Sequence, residues 1–377
     1  MPSRSLRLVT SSLAALATAI AGACATVQRT PAPSATAAAM PPIKHVFIIV
    51  LENKDFNTTF GPGSRAPYLA DSLTAQGALL RNYYGIGHVS LDNYIAMISG
   101  IAPNRDTQGD CGRFVEFAET GIAPDGQPIG RGCVYPTHVL TIANQLDASG
   151  RTWKAYMEDM GKDPAREAAT CGHPVIGSPD RTETATANDQ YATKHDPFMY
   201  FHAIIDSTSM CEQHVVPLTG FEADLQSADR IANYVFISPN LCHDGHDAPC
   251  RNGEPGGLVS ANAFLRTWVP RITSSPAFRD GGLLIVTFDE AMSVDASACC
   301  NEPSGPNTTM PGTHGPGGGR IGAVLLSPYI RPGTISDVPY NHYSMLRSVE
   351  DIFGLSHLGY AGAEGLAPFG ADVFTAR

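Results

Sequence analysis

The sequence predicts an α/β fold: a doubly wound, mostly parallel sheet flanked by helices. Apolar runs without polar alternation are typical of strands buried on both faces of such a sheet. Four such runs lie at residues 43–51, 234–238, 283–288 and 321–327. Apolar residues at helical spacing occur most clearly at residues 69–80, 139–146, 262–272 and 343–353. Alternation of the two patterns favours a parallel sheet covered by helices.

The composition is that of a compact protein with many ordered loops. Of the 377 residues, 43% are hydrophobic and 16% are charged, and the chain has 37 glycines and 29 prolines. A chain of this length buries a large core, and this composition argues against disorder. The net charge of −11 would repel a phosphate backbone, so we expect no nucleic-acid partner. A single phosphate group in a local positive pocket is still compatible with that charge.

The N-terminus has the pattern of an export signal, predicted over residues 1–25. Arg4 and Arg7 precede a short apolar run at residues 13–21, which is too short to span a membrane. The sequence Ala21-Gly-Ala-Cys24 resembles the lipid-attachment box of bacterial lipoproteins, with Ala21 where that box usually has Leu. We therefore expect an exported protein, periplasmic or secreted, with either ordinary cleavage nearby or a lipid anchor at Cys24. Residues 26–42, rich in Ala, Pro and Thr, are predicted to form a tether.

The cysteines predict disulfides. Eight of the nine follow Cys24, and an even number in an exported chain indicates disulfide pairing. The natural local pairs are Cys111 with Cys133, Cys171 with Cys211, Cys242 with Cys250, and the adjacent Cys299 and Cys300. A zinc-thiolate site is the alternative, but the chain has no C-x-x-C pair. We interpret residues 43–377 as one domain, with a disulfide-rich insertion or cap at about 109–217.

Polar residues recur where the predicted strands end. Glu52 and Asn53 follow the first strand, and Asp289 and Glu290 follow the third. The stretch 240–247 follows the second strand and includes two histidines and two acids. In open α/β sheets the carboxyl ends of the strands form the binding crevice. These residues are therefore candidates for one functional site.

Each candidate also has a purely structural interpretation. Glu52 and Asn53 could belong to an ordinary turn, and Asp289 and Glu290 to an ordinary strand exit. The dense cluster at residues 243–247 favours a metal or phosphate site more strongly. A glycine-flanked histidine such as His314 is often only a loop residue. We expect His45, inside the first strand, to be a core histidine.

Ser90 is the candidate nucleophile. It lies between a short predicted strand at residues 79–84 and a helical segment at residues 94–100. A serine at a helix start usually caps the helix. A helix N-terminus also favours an anionic oxygen and an approaching phosphate, which would activate Ser90 beside a divalent cation.

Five segments, in order, resemble motifs of the bacterial phosphoesterase family. That family includes secreted acid phosphatases and phosphatidylcholine-type phospholipases C. It is itself similar to the alkaline phosphatase superfamily, whose fold the resemblance implies here. His243 stands where the family often has Asn. The matching segments are Lys44-His-Val-Phe-Ile-Ile-Val-Leu-Glu-Asn53, His88-Val-Ser-Leu-Asp-Asn-Tyr94, Pro239-Asn-Leu-Cys-His-Asp-Gly-His-Asp247, Thr287-Phe-Asp-Glu290 and Tyr340-Asn-His-Tyr-Ser-Met-Leu-Arg-Ser-Val-Glu350.

The resemblance implies a set of roles. Ser90 would attack phosphorus, with His88 beside it in the motif and Asn93 holding a phosphate oxygen. Residues at the superfamily's second metal site would either bind a metal or act directly on the substrate. In the direct case Asp244 and Asp247 would contact phosphate, and His246 or His314 would protonate the leaving group. One metal would be held by Glu52, Asn53, Ser90, Asp289 and Glu290.

The implied metal is a divalent ion with oxygen ligands. Calcium or magnesium suits such ligands better than zinc, and manganese or iron also fits. The first choice of function is hydrolysis of phosphate monoesters, as in an acid phosphatase, on a small phosphate ester or phospholipid head group. A phospholipase C-type phosphodiesterase is the nearest alternative. A metal-free serine esterase would need a G-x-S-x-G elbow, which Ser90 lacks, and a non-catalytic, disulfide-stapled binding protein is the remaining class.

Overall fold

A computed structural model of the chain describes residues 40–292 and 294–374. The predicted export signal, Cys24 and residues 26–39 of the predicted tether lie outside the described residues. The strands β1 to β14 are His45–Leu51, Ala78–Leu80, Tyr83–Tyr84, Arg113–Phe114, Ala118–Ile122, Pro128–Arg131, Trp153–Met157, Ser178–Pro179, Val215–Pro217, Tyr234–Ser238, Gly282–Phe288, Ala323–Leu326, Thr334–Ser336 and Tyr340–Asn341. The α-helices α1 to α10 are Phe56–Phe60, Thr74–Gln76, Ser90–Ser99, Ile142–Ala148, His202–Ile205, Thr208–His214, Phe221–Asp224, Gly257–Ser274, Pro276–Arg279 and His342–Phe353.

Eight strands form one central sheet, in the order β13-β2-β12-β11-β1-β10-β7-β9. All neighbours are parallel except where β12 runs antiparallel to β11 and β2. Every residue of β1, β10 and β11 is buried, because their apolar side chains face helices or loops on both sides of the sheet. The predicted α/β fold with a mostly parallel sheet is confirmed, and so are its four strands.

One predicted helix is shorter than its pattern indicates. The 69–80 pattern forms a π-helical segment, Tyr68–Leu73, and then α2, which ends before Gly77. A side chain on Gly77 would lie 2.1 Å from the carbonyl oxygen of Leu325, so glycine is required for this close approach to β12. The last three residues of the pattern instead form β2, because they pair with β12 and β13.

The segment predicted as an insertion contributes to the sheet itself. Within residues 109–217, β7 pairs with β10 and β9 pairs with β7, both in parallel. The rest of the segment is mostly turns and loops, and it contains the disulfides Cys111–Cys133 and Cys171–Cys211. The other two predicted disulfides, Cys242–Cys250 and Cys299–Cys300, are also present. All four predicted pairings are confirmed.

Two further features agree with the sequence. His45 is buried, and its Nδ1 lies 3.0 Å from the carbonyl oxygen of Ala232, as expected of a core histidine. Across residues 40–292 and 294–374, none of the helices combines the length and the apolar character that crossing a membrane would require.

Candidate active site

The carboxyl ends of β1 and β11 bring the first acids together. The register pairs Leu51 with Phe288, so Glu52 and Asp289 follow on adjacent strands. The backbone N–H of Asp289 donates to the carbonyl oxygen of Leu51 at 2.8 Å, and the backbone N–H of Glu52 donates to the carbonyl oxygen of Asp244 at 2.8 Å. Three strand ends therefore meet at Glu52, since Asp244 lies in the loop after β10.

A sharp turn after Glu52 aims the next residue at the same place. Asn53 has a left-handed backbone with φ of 53°, a conformation that Asn tolerates better than most residues. Its backbone N–H donates to Asp289 Oδ1 at 2.9 Å, and its side-chain Nδ2 donates to Glu52 Oε2 at 3.1 Å. Asn53 thus links the carboxylates at the ends of both strands.

Ser90 is the first residue of α3 and points at Glu52. Its Oγ donates to Glu52 Oε2 at 2.8 Å, and only 4% of its surface is exposed. One turn later on the same helix, the hydroxyl of Tyr94 donates to Glu52 Oε1 at 2.6 Å. Both oxygens of the Glu52 carboxylate therefore accept a hydrogen bond from α3, which fixes the serine hydroxyl relative to the strand ends.

These buried acids repel one another. Burial, followed by the charges of Asp289 and Asp244, raises the pKa of Glu52 well above its usual value. Burial also raises the pKa of Asp289 to about 6 and that of Asp244 to about 8. Asp289 Oδ2 and Asp244 Oδ2 are buried without a hydrogen-bond partner among the described residues. Excess negative charge and unpaired carboxylate oxygens are what a bound cation would relieve.

The residues present fit a divalent metal ion. Glu52, Asp289, Asn53 and Ser90 offer only oxygen donors at one end of the sheet, the chemistry that hard cations prefer. In the described chain, the two groups of His, Cys, Asp or Glu that bring three candidate ligand atoms within 4.8 Å of one another both lie outside this site: Cys242–His243–Glu254 and Cys299–Cys300–Glu302. The sulfurs of both groups are in disulfides, so neither group offers the thiolate that a zinc site would use.

Two predicted site residues have different surroundings from those expected. The resemblance assigns Glu290 to the metal, and in the structure its carboxylate also lies against Asn93 Nδ2 at 3.2 Å and His88 Nδ1 at 3.6 Å. Asn93 was assigned to a phosphate oxygen, but it is fully buried, and its Oδ1 accepts the backbone N–H groups of Ile86 and Gly87. Asn93 therefore holds the loop that precedes Ser90.

A cavity of about 550 Å³ opens above Ser90. The residues that line it include Ser90, Asn53, Glu290, His88, His246 and His314. The rings of His88 and His314 lie 4.9 Å apart, although they are far apart in the chain. The structure therefore brings the three predicted catalytic histidines to the predicted nucleophile.

The histidines differ in exposure. His88 is buried, and burial, together with the nearby His314, lowers its pKa. The side chain of His246 is 54% exposed beside Asp247, and partial burial lowers the pKa of His246. His314 is exposed on a turn and contacts the hydroxyl of Thr313 through Nδ1. His246 and His314 are therefore the two that reach bulk water.

Comparison with known proteins places the chain in a family. The sequence profile of the Phosphoesterase family matches residues 63–356, which include Ser90, the 240–247 loop, Asp289 and His314. The chain belongs to the Phosphoesterase family. The resemblance seen in the sequence motifs is confirmed, and Glu52 and Asn53 lie just before the matched segment.

Several phosphatases are similar to this phosphoesterase. A "Probable acid phosphatase" from Kluyveromyces lactis is 26% identical over 84% of the chain, and the "Acid phosphatase" of Aspergillus fumigatus is 26% identical over 76%. The chain spans only 59% and 51% of these relatives' lengths. The "Phosphatidylinositol-3-phosphatase" of Mycobacterium tuberculosis is 25% identical, with 86% of this chain and 82% of that protein covered.

Among solved structures, a protein in the alkaline phosphatase superfamily from Vibrio parahaemolyticus aligns over 85% of this chain and 68% of its own. The sequence identity is 13% and the TM-score is 0.44.

The candidate site also contains residues that sequence reasoning missed, among them His195 and Lys194. His195 is buried, stacks on Tyr94 at 5.2 Å, and places Nε2 at 3.4 Å from Glu52 Oε2. Burial lowers its pKa well below the usual value, and neither ring nitrogen has a hydrogen-bond partner among the described residues. Lys194 lines the cavity; burial lowers its pKa, but Asp110 and Glu183 raise it by more, so Lys194 is a cation there.

Neither residue follows a strand, which is why the strand-end argument passed over them. They lie in a short 3-10 turn, Thr193–His195, that packs against α3. The available signal was local: Lys194-His195-Asp196 puts three ionisable residues directly before the apolar run 197–201. Charged residues in such a place are candidates for a buried polar site.

Proposed function

We propose that this chain is a phosphatase that hydrolyses phosphate monoesters, in the manner of an acid phosphatase, through a phosphoserine intermediate on Ser90. The observation that carries the proposal is the hydrogen bond from the Oγ of Ser90, a residue that lines the cavity, to Glu52 Oε2. A serine at a helix start, with its proton held by a carboxylate, is suited to attack phosphorus. The names of the fungal and mycobacterial relatives support phosphate esters as substrates.

The reaction consists of two displacements. Ser90 Oγ forms a bond to phosphorus as the ester oxygen leaves, and His246 or His314 gives that oxygen a proton. Water then gives a proton to the same histidine and attacks phosphorus, and the bond to Ser90 Oγ breaks as phosphate is released. Lys194 supplies positive charge to the phosphate oxygens within the cavity. Glu52 Oε2 takes the Ser90 proton as Oγ attacks, and returns it to Oγ when the phosphate is released.

We propose a divalent metal ion as cofactor, with calcium or magnesium favoured over zinc. Glu52, Asn53, Ser90, Asp289 and Glu290 would hold it. When bound, such an ion neutralises phosphate oxygens and lowers the pKa of a nearby hydroxyl.

The metal is tested by Asp289→Asn. We expect the variant to fold and to lose metal affinity by at least about tenfold, because one charged ligand oxygen becomes a neutral amide. Elemental analysis and chelator titration measure the bound metal. The control Asp337→Asn changes an exposed acid that pairs with Arg81, and its metal content should be unchanged. Undiminished metal in Asp289→Asn would remove Asp289 from the ligand set.

We also propose that the protein acts outside the cytoplasm, on a small phosphate ester or a phospholipid head group. The predicted export signal supports this, as do the four disulfides, which persist in oxidising compartments. Attachment of a lipid at Cys24 is the alternative to free release, and N-terminal analysis of the mature protein distinguishes the two.

A single assay separates the candidate functions. We expect release of p-nitrophenol from p-nitrophenyl phosphate, loss of that activity with chelator, and much slower hydrolysis of bis-p-nitrophenyl phosphate. Faster cleavage of the diester would favour a phospholipase C-type reaction. Chelator-resistant hydrolysis of p-nitrophenyl acetate alone would favour a metal-free esterase, and inactivity on all three esters would favour a binding protein.

A further inference from the structure

Helix α3, which carries Ser90, has no capping side chain of its own. Its N-cap is Val89, in an extended conformation, and Ser90 is the first helical residue. The hydroxyl oxygen of a serine near a helix start usually accepts a backbone N–H of the first turn and so caps the helix. Here the hydroxyl donates to Glu52 instead, so another residue must satisfy the free N–H groups of the first turn.

Asp110, in a loop nineteen residues after Leu91, supplies the cap. Its Oδ1 accepts the backbone N–H of Leu91 at 3.0 Å, and its carboxylate charge is favourable at a helix N-terminus. Its other oxygen, Oδ2, accepts from Lys194 Nζ at 2.7 Å. Asp110 and Lys194 both line the cavity. One carboxylate therefore joins the nucleophile's helix to the cation of the site.

The backbone around Asp110 is itself firmly fixed. Asp110 and Cys111 both have a φ of 53°, a left-handed conformation that is unfavourable for residues other than glycine. The backbone N–H of Asp110 donates to the carbonyl oxygen of Thr107, that of Cys111 donates to the carbonyl oxygen of Asp106, and Cys111 is bonded to Cys133. Two consecutive residues in an unfavourable conformation, held by hydrogen bonds and a disulfide, are typical of a functional loop.

From this arrangement we propose that Asp110 is a positioning residue for phosphoryl transfer, which sets Ser90 Oγ and Lys194 Nζ relative to each other. The inference rests on the proposed function, because it assumes that Ser90 attacks a phosphate bound near Lys194. Displacing a reacting group by about 1 Å can cost about 100-fold in rate. A residue that fixes both groups therefore affects the rate without touching substrate.

Two variants separate the two contacts. Asp110→Asn keeps an oxygen for the Leu91 N–H but removes the negative charge beside Lys194. We expect a higher KM for p-nitrophenyl phosphate and a kcat within about threefold of wild type, because the helix cap is retained. Asp110→Ala loses both contacts, and we expect kcat to fall by about 10- to 100-fold as well.

A double-mutant cycle with Lys194→Met checks that the two residues act together. We expect the effects on KM of Asp110→Asn and Lys194→Met to be non-additive, since each removes the same contact. The matched control is Asp106→Ala in the same loop, which removes an ion pair with the exposed Arg131 and should leave kcat and KM unchanged. A general loss of stability would not raise KM in Asp110→Asn while leaving kcat nearly unchanged, and it would not explain a lower kcat in Asp110→Ala alone.

Binding of inorganic phosphate, measured by calorimetry, gives a readout that does not need turnover. Weaker phosphate binding in both Asp110 variants, with an unchanged Asp106→Ala control, would support the inference. Wild-type kcat, KM and phosphate affinity in a folded Asp110→Ala protein would overturn it while leaving Ser90 in place. A wild-type protein that is inactive, but whose phosphate affinity still depends on Asp110, would instead reject the proposed function. If Asp110→Ala does not fold, the Asp110→Asn variant decides.

Discussion

Glu52 is the residue on which the geometry of the nucleophile depends. Its two carboxylate oxygens accept separately from Ser90 Oγ and from the hydroxyl of Tyr94. Both donors are on α3, four residues apart, and therefore on one face of the helix. The side chain of Glu52 is thus clamped between its strand end and the helix, and loss of either hydrogen bond would loosen the other.

Tyr94→Phe tests this clamp. The variant removes the hydroxyl that donates at 2.6 Å to a buried carboxylate, and such charge-assisted hydrogen bonds contribute about 1.5–3 kcal/mol. We expect kcat/KM to fall by about tenfold or more, because Glu52 no longer holds Ser90 in one position. The matched control is Tyr234→Phe, since the buried hydroxyl of Tyr234 has no hydrogen-bond partner among the described residues. Equal activity in the two variants would show that the contact with Tyr94 does not position Glu52.

Single residues also show where sequence reasoning stopped. Glu52, Ser90 and Asp289 were found because each lies at a strand end or a helix start, and the fold brings such places together. His195 and Asp110 were missed because they lie in loops whose partners are set only by tertiary packing. Local sequence does not encode such distant contacts.

Helix α10, which carries the last family motif, contacts the backbone of the candidate site through His342. The Nε2 of His342 lies 2.6 Å from the carbonyl oxygen of Asp289, and its Nδ1 lies 3.2 Å from the hydroxyl of Tyr83. Burial lowers the pKa of His342 to about 4, so the ring is neutral and can donate at Nε2 and accept at Nδ1. The helix therefore packs in the core and also holds the backbone of Asp289 in place.

The C-terminal end of α10 predicts a pH-dependent stability. Glu350 is fully buried, and burial raises its pKa to about 8, although its Oε1 accepts the N–H of Leu358. A carboxyl with a raised pKa in the fold is protonated there while the unfolded chain ionises near pH 4.3. The contribution of Glu350 to the free energy of unfolding is therefore fully present below about pH 4, and it is lost as the pH rises toward about 8.

Glu350→Gln should remove this dependence. The amide stays neutral, so we expect a Tm close to wild type at pH 5 and higher than wild type by at least about 2 °C at pH 8. Thermal unfolding followed by circular dichroism at the two pH values measures the difference. The control is Glu364→Gln, which changes an exposed acid. A variant that is no more stable than wild type at pH 8 would contradict the buried, protonated state of Glu350.

The predicted elements were most accurate where burial is greatest. Strands β1, β10 and β11 are apolar throughout because both faces of each are covered, and their pattern was clear. Strand β7 was missed because Lys154, which pairs with Asp224, interrupts its apolar residues. The predicted helix at 69–80 failed at Gly77, where packing against β12 overrides local preference.

As a whole, the molecule combines a buried parallel sheet with long loops tied by disulfides. Disulfides add covalent links to the loops that form the cavity walls. Cys111–Cys133 holds the loop of Asp110, and Cys242–Cys250 closes the loop that carries Asp244 and His246.

This arrangement predicts the state of the thiols in the folded protein. We expect none of the eight cysteines after Cys24 to react with a thiol reagent when the protein is denatured without reductant, because all eight are paired. Reduction should lower the Tm, since each disulfide typically contributes about 2–4 kcal/mol. Mass spectrometry of the alkylated protein counts the free thiols. Four or more free thiols in natively exported protein would contradict the pairing.

The central claim is that Ser90 becomes phosphorylated during turnover, and the most direct measurement is acid quenching during hydrolysis of p-nitrophenyl phosphate, followed by peptide mass spectrometry. We predict phosphate on the peptide containing Ser90, and at least about a 1,000-fold loss of kcat in Ser90→Ala. The control is Ser99→Ala at the other end of α3, where Oγ donates only to the carbonyl oxygen of Ile95, and this variant should keep its activity. Because two displacements occur, a chiral phosphate ester should give retention of configuration at phosphorus. Inversion, with no phosphorylated Ser90 and near-normal turnover in a folded Ser90→Ala protein, would contradict the account.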